Sequence, residues 1–190
     1  MSWFSINTKL KSGAVSVGAW MSIDQVSVAA TLAASGFEWI VIDLGDAAAD
    51  VPKVLKLVLA IERGGVVPIV RLAWTDPAQR RAFSECGGVG AVISTARSAS
   101  ETEAAMAAVG RGAVQAPDDA PGPSSAPLCL VEVDHSDGVE RIEEILSVRG
   151  VGGVLVRPLE LAASLGHAGR ADHPESARAV EDFAVTTPFC

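Results

Sequence analysis

The 190-residue sequence predicts an α/β fold built on a parallel sheet, and three observations carry that prediction. Short β-branched runs alternate with Ala- and Leu-rich helical stretches from one end to the other. Six strand-like runs are each followed by a helical one. The strand-like runs are also near-continuously apolar, as parallel strands are when helices cover both faces. Hydrophobic residues make up 49% of the chain and charged residues 20%, so a sizeable core fits in one domain spanning 1–190.

The elements follow in order. "AVSVGAW" (14–20) reads as the first strand, and "DQVSVAATLAAS" (24–35) as a helix started by Asp24 and stopped by Gly36. "FEWIVIDL" (37–44) is the second strand. "VPKVLKLVLAIERGG" (51–65) is a helix with Pro52 in its first turn and two glycines closing it. Then come strand 66–72, helix 76–88, strand 90–96 and helix 98–110. Asp50 and Asp76 sit where helix caps belong. The stretch "RGAVQAPDDAPGPSSAP" (111–127) is rich in Pro, Gly, Ser and Asp and reads as a flexible loop. After it come strand 128–134, helix 138–148, strand 152–158 and helical pieces near 159–165 and 174–184. Six β/α units fit a (β/α) barrel lacking two units and a doubly wound sheet equally well.

Bulk properties exclude several functions. A net charge of −8 and a pI near 4.8 would repel nucleic acid and anionic membranes. No apolar run approaches the ~20 residues needed to span a bilayer, and the N-terminus lacks a secretory pattern, so a cytoplasmic protein is expected. Cys86, Cys129 and Cys190 are odd in number and far apart, which suits buried thiols in a reducing compartment and neither a disulfide frame nor a zinc site.

Chemistry in parallel α/β folds gathers at the carboxyl ends of strands. Strand one delivers Trp20 there, strand two Asp43 and Asp46, and strand three Arg71. Strand four delivers Ser94 and Thr95, strand five Glu132 and Asp134, and strand six Arg157 and Glu160. Glu132 and Asp134 are two apart and share a strand face. Asp134 and Glu160 could share a hard cation through oxygen ligands. Arg71 ends an apolar run, where an unpaired charge is costly, so it reads as a residue with a partner or ligand. The alternative for any one of these groups is a cap or ordinary loop solvation. His135 reads as a loop residue before it reads as a base, and His167 and His173 carry no spacing signal.

Taken in order, these strand ends resemble the HpcH/HpaI aldolase/citrate lyase family. The likeness runs from about Lys9 to Pro188. It rests on "GAW" (18–20), "LAASGFEWIVID" (32–43), "VPIVRLAWTDPAQ" (67–79), "SASETEAA" (98–105), "GVGGVLVRPLELAASLGHAG" (150–169) and "HPE" (173–175). The resemblance implies a (β/α)8 TIM-barrel-type fold, here incomplete with about six β/α units. It also implies a carbon–carbon lyase acting on pyruvate or a related 2-oxo acid, or on an aldehyde, through an enolate stabilised by Mg²⁺, Mn²⁺ or Co²⁺. On this reading Arg71, Asp46 and Asp43 are catalytic. Trp20, Arg71, Glu132 and Arg157 bind substrate, and Asp134 and Glu160 hold the metal.

The sequence departs from the family pattern at several of these positions. "DLGD" (43–46) has Gly45 where the family has a glutamate and Asp46 where it has a proton-transferring histidine. An aspartate titrates near ~3.9 against ~6.5 for an imidazole, which makes Asp46 a weak base. The two metal positions exchange glutamate for aspartate and the reverse, and Glu132 and Arg157 replace a glutamine and a glycine. These changes support a second expectation, a catalytically degenerate homologue that binds a small carboxylic acid or a partner chain. The chain stops near the expected seventh strand, so strands one and six would expose edges and a homo-oligomer is expected.

Overall fold

The computed structural model describes residues 5–6, 8–9, 12–45, 50–87, 90–94, 96–110 and 128–186. Asp46, Thr95, Cys190 and the loop 111–127 lie outside the described residues. Six strands, β1 (Gly18–Met21), β2 (Trp39–Asp43), β3 (Val67–Leu72), β4 (Gly90–Ile93), β5 (Cys129–Val133) and β6 (Gly153–Val156), are hydrogen-bonded in chain order. The β1–β2, β2–β3 and β5–β6 pairs are all parallel. A doubly wound sheet reverses its strand order at a switch point, and this order never reverses. The fold is therefore α/β of the (β/α)-barrel type, which decides between the two architectures that strand counting left open.

The helices are α1 (Val26–Ala33), α2 (Val51–Arg63), α3 (Pro77–Glu85), α4 (Ala99–Gly110), α5 (Ser136–Glu140), α6 (Ile142–Ser147), α7 (Pro158–Ser164) and α8 (Pro174–Thr186). The chain divides into two compact units, 1–92 with 108–128, and 93–107 with 129–190.

In the first unit β2 buries Ile40, Val41 and Ile42 in succession, and β3 buries Ile69, Val70 and Leu72. Successive residues of a strand point to opposite faces, so both faces are covered, as the apolar runs predict. Each such side chain contributes ~1.5–3 kcal/mol by leaving water. Helix α2 lays Val54, Leu57, Val58 and Ile61 into this core, the spacing of one helical face. Asp76 caps α3 by accepting a hydrogen bond from the Ala78 N–H at 2.8 Å. Asp50 occupies the N-cap position of α2 without a side-chain cap bond. Asp24 does not start α1; Gln25 holds that position, and the Asp24 carboxylate pairs with Lys53.

In the second unit Val131, Ile145 and Ala96 form one core cluster. Val133 and Ile142 form another, with Val139, Leu146, Val154 and Val156 against it. The single helix expected over 138–148 is two, broken at Arg141, whose φ of −113° leaves the helical range. The two pieces are seated by different requirements. A Cβ at Gly138 would lie 2.9 Å from the Ala96 carbonyl oxygen and 2.9 Å from Val133 Cγ1, so α5 approaches backbone closely. Helix α6 instead drives Ile142 and Ile145 into the core. Strand β6 is half-buried along its whole length, unlike β2 and β3, because it ends the hydrogen-bonded order.

Cys86 and Cys129 are buried free thiols, as expected. Burial raises the Cys86 thiol to about 11, helped by the charges of Glu62 and Glu85, and raises Cys129 to about 12. Thiols this reluctant to ionise are poor nucleophiles and metal ligands. Among the described residues no helix is long and apolar enough to cross a membrane.

Candidate functional site

The first unit gathers Trp20, Asp43 and Arg71 at the ends of β1, β2 and β3. The β2–β3 register makes Asp43 and Arg71 direct neighbours across parallel strands. Arg71 Nη1 donates to Asp43 Oδ1 at 3.0 Å, with both side chains largely shielded, at 13% and 15% exposure. Trp20 Nε1 donates to the other oxygen, Oδ2, at 3.0 Å, and the Gly45 N–H donates to Oδ1 at 2.8 Å. The apolar run before Arg71 therefore ends in a paired charge, as the cost of burying an unpaired one requires.

This environment sets the charge of Asp43. Burial pushes its carboxyl up most strongly. The Gly45 N–H, the Arg71 charge, and the hydrogen bonds from Trp20 and Arg71 together outweigh that and hold it below the ordinary aspartate value. Asp43 thus stays ionised at neutral pH and is built to orient a guanidinium. Sequence reasoning missed Gln79, which is 1% exposed and ties this end together. Its Nε2 donates to the Gly45 carbonyl at 3.0 Å, and its Oε1 accepts from the Ala73 N–H at 2.7 Å. The signal was a glutamine sharing the buried face of α3 with Ala82 and Phe83, three and four residues on.

The second unit brings Glu132, Arg157 and Glu160 together, with Asp134 directly after β5. Glu132 lies inside β5 with 0% exposure, and Asp134 is the first residue beyond the strand. Asp134 Oδ1 is buried. Arg157 follows β6, and its N–H donates to the Val133 carbonyl at 3.3 Å, continuing the ladder by one residue. It is also the N-cap residue of α7, with Pro158 next and Glu160 in the first turn. Its guanidinium bridges two acids: Nη1 donates to Glu132 Oε1 at 3.0 Å, and Nη2 donates to Glu160 Oε1.

The region beyond β5 is pinned in the same unit. Ser164 Oγ accepts from the Ser136 N–H at 3.1 Å and donates to the Leu161 carbonyl at 2.8 Å. His135 is the N-cap of α5, accepting from the Asp137 N–H at 3.2 Å, which agrees with its reading as a loop residue. Ser94 directly follows β4 and is half-buried. Asp46, assigned to proton transfer from sequence, falls outside the described residues.

Fold and strand-end chemistry define an α/β protein of the barrel type, with acid–arginine clusters where such folds place their chemistry. The chain belongs to the HpcH/HpaI aldolase/citrate lyase family, whose pattern matches residues 16–188. It is 31% identical over 189 residues to the 4-hydroxy-2-oxo-heptane-1,7-dioate aldolase of Klebsiella pneumoniae, a match covering 91% of this chain and 71% of that one. Its fold is similar to that of an HpcH/HpaI aldolase/citrate lyase family protein from Burkholderia cenocepacia. The TM-score is 0.79 at 24% identity, over 95% of this chain and 79% of the other. It is also similar, with a TM-score of 0.58 at 19% identity, to the protein CitE of Mycobacterium tuberculosis in complex with magnesium and acetate. That match covers 93% of this chain and 70% of CitE.

Proposed function

We propose that this chain is a carbon–carbon lyase of the aldolase type, acting on pyruvate or a related 2-oxo acid through an enolate. The observation that carries the reading is the carboxylate-rich strand end of the second unit. Arg157 bridges Glu132 and Glu160 there, and Asp134 follows directly on β5. An all-oxygen donor set suits a hard divalent cation such as Mg²⁺, Mn²⁺ or Co²⁺. Mg²⁺ in particular is commonly held by one or two carboxylates with waters filling the remaining positions.

Asp134 and Glu160 are the residues we assign to hold that ion. When bound, it supplies a Lewis acid that draws electron density from a 2-oxo group. Arg157 positions Glu160, whose second oxygen we assign as a ligand together with Asp134. In the first unit we assign Arg71 to a substrate carboxylate or developing enolate oxygen. Asp43 and Trp20 fix its environment before the substrate arrives, which is where such a group gains its catalytic value. Asp43, held below the ordinary aspartate value, fixes Arg71, and Asp46 is the residue we assign to proton transfer.

The Arg157 bridge also favours a second reading, a homologue that binds a small carboxylic acid without turning it over, because the chain's own cation already occupies one Glu160 oxygen. Proton exchange separates the two. The methyl protons of pyruvate in D₂O with Mg²⁺ should exchange in the presence of the protein, seen as loss of the methyl proton signal by NMR. Asp134→Asn and Arg71→Ala should each slow the exchange. Binding of pyruvate with no exchange under Mg²⁺, Mn²⁺ or Co²⁺ would establish the second reading instead.

A further inference from the structure

The turn that joins α7 to α8 brings together two histidines that the sequence separates by six positions. His167 and His173 stack with ring centroids 3.5 Å apart and an interplanar angle of 22°. His167 Nε2 lies 2.8 Å from Glu175 Oε2. Among the described residues, this is the group of three whose ligand atoms lie within 4.8 Å of one another. We propose that His167, His173 and Glu175 form a site for a borderline-soft divalent transition-metal ion, Zn²⁺ or Ni²⁺, with water in the fourth position.

The chemistry of the donors separates this site from the carboxylate cluster. Two imidazoles and one carboxylate are the ligand set of open zinc sites, while hard ions such as Mg²⁺ select oxygen donors. The backbone that carries the ligands is well fixed. The His167 N–H donates to the Ala162 carbonyl at 2.7 Å, the Arg170 N–H to the His167 carbonyl at 2.9 Å, and the His173 N–H to the Arg170 carbonyl at 3.0 Å. Gly166, with φ of +84°, makes the sharp exit from α7 that an L side chain would resist. The Ala177 N–H then donates to the His173 carbonyl at 2.9 Å as α8 begins.

Closing the site needs small movements. Ligand atoms of a tetrahedral zinc site with bonds near ~2.0–2.1 Å lie about 3.4 Å apart, so the widest pair here must approach by no more than about 1.4 Å. One imidazole must also turn out of the stack to aim its lone pair at the ion. That is rotation about χ2, a broad torsion for histidine. The helix N-terminus beside the site opposes a cation, and the Glu175 carboxylate in the first turn of α8 offsets it. A bound ion would cross-link the turn to α8.

The test is equilibrium dialysis of the chelator-treated full chain against Zn²⁺ and Ni²⁺, with thermal unfolding as a second readout. The expected result is one ion per chain and a raised unfolding midpoint. Both should be lost in His167→Gln and in His173→Asn, which keeps an acceptor for the Glu175 N–H that donates to His173 Nδ1 at 3.4 Å, and Mg²⁺ in excess should not compete. Asp134→Asn should retain this binding while losing any Mg²⁺ site at the strand ends, so the two assignments fail separately. Absence of Zn²⁺ and Ni²⁺ binding, or binding undiminished in His167→Gln, would overturn the proposal.

Discussion

The two units each carry an arginine held by acids at the ends of adjacent parallel strands, and they balance its charge in opposite ways. In the first, one aspartate meets one arginine, and the aspartate's other bonds come from Trp20 and the Gly45 N–H. Among the described residues that cluster pairs one aspartate with one arginine. In the second, one arginine spans two glutamates with a further aspartate beside β5, and one of the glutamates is wholly buried. That cluster depends on Arg157. Similar residue types at strand ends thus pair one to one in the first unit and two to one in the second, among the described residues. The difference, among the described residues, lies in how many acids each arginine holds.

Removing each arginine tests the contrast most severely. Arg157→Leu leaves Glu132 buried without its guanidinium, and removing one partner of a buried pair costs about 3–5 kcal/mol. Arg157 is itself 30% exposed, so the lower end of that range is expected in urea unfolding. Adding Glu132→Gln to Arg157→Leu should recover much of the loss. Arg71→Leu should cost less, about 1–3 kcal/mol, because Asp43 keeps two N–H donors. Equal losses, or a larger one at Arg71, would break the comparison.

The smallest effect is in acid. Asp43 titrates below the ordinary aspartate range when folded, so its contribution is present at neutral pH and above its unfolded value. It is lost as pH falls through the folded value, below about 3.9. Asp43→Asn should therefore lower stability at pH 7 and flatten its decline in strong acid. A decline as steep in the variant as in the parent would assign that acid sensitivity to other carboxylates.

Strand and helix order was legible in the sequence because burial on both faces leaves continuous apolar runs such as "FEWIVID", and 3.6-residue spacing leaves a stripe such as Val54, Leu57, Val58 and Ile61. Boundaries were less legible. The helix expected over 138–148 divides at Arg141 because Gly138 and Ile145 answer to different neighbours, and neighbours are not written in a linear pattern. The starting residue of α1 was missed for a similar reason: Asp24 finds Lys53, 29 positions away, in preference to capping its own helix.

The same division runs through the candidate site. The sequence by itself determined which residues reach the strand ends, since strand period and strand order place Asp43, Arg71, Glu132, Arg157 and Glu160 there. It also determined that Arg71 needed a partner, because a charge after "VVPIV" cannot be left alone. Only the tertiary structure decided who pairs with whom: Asp43 with Arg71, Arg157 with both Glu132 and Glu160, and His167 with Glu175 beside His173. Composition and period act along the chain and are local. Hydrogen bonds and ion pairs act over about 3 Å of space, and which distant residues come that close is set by strand register and turn geometry.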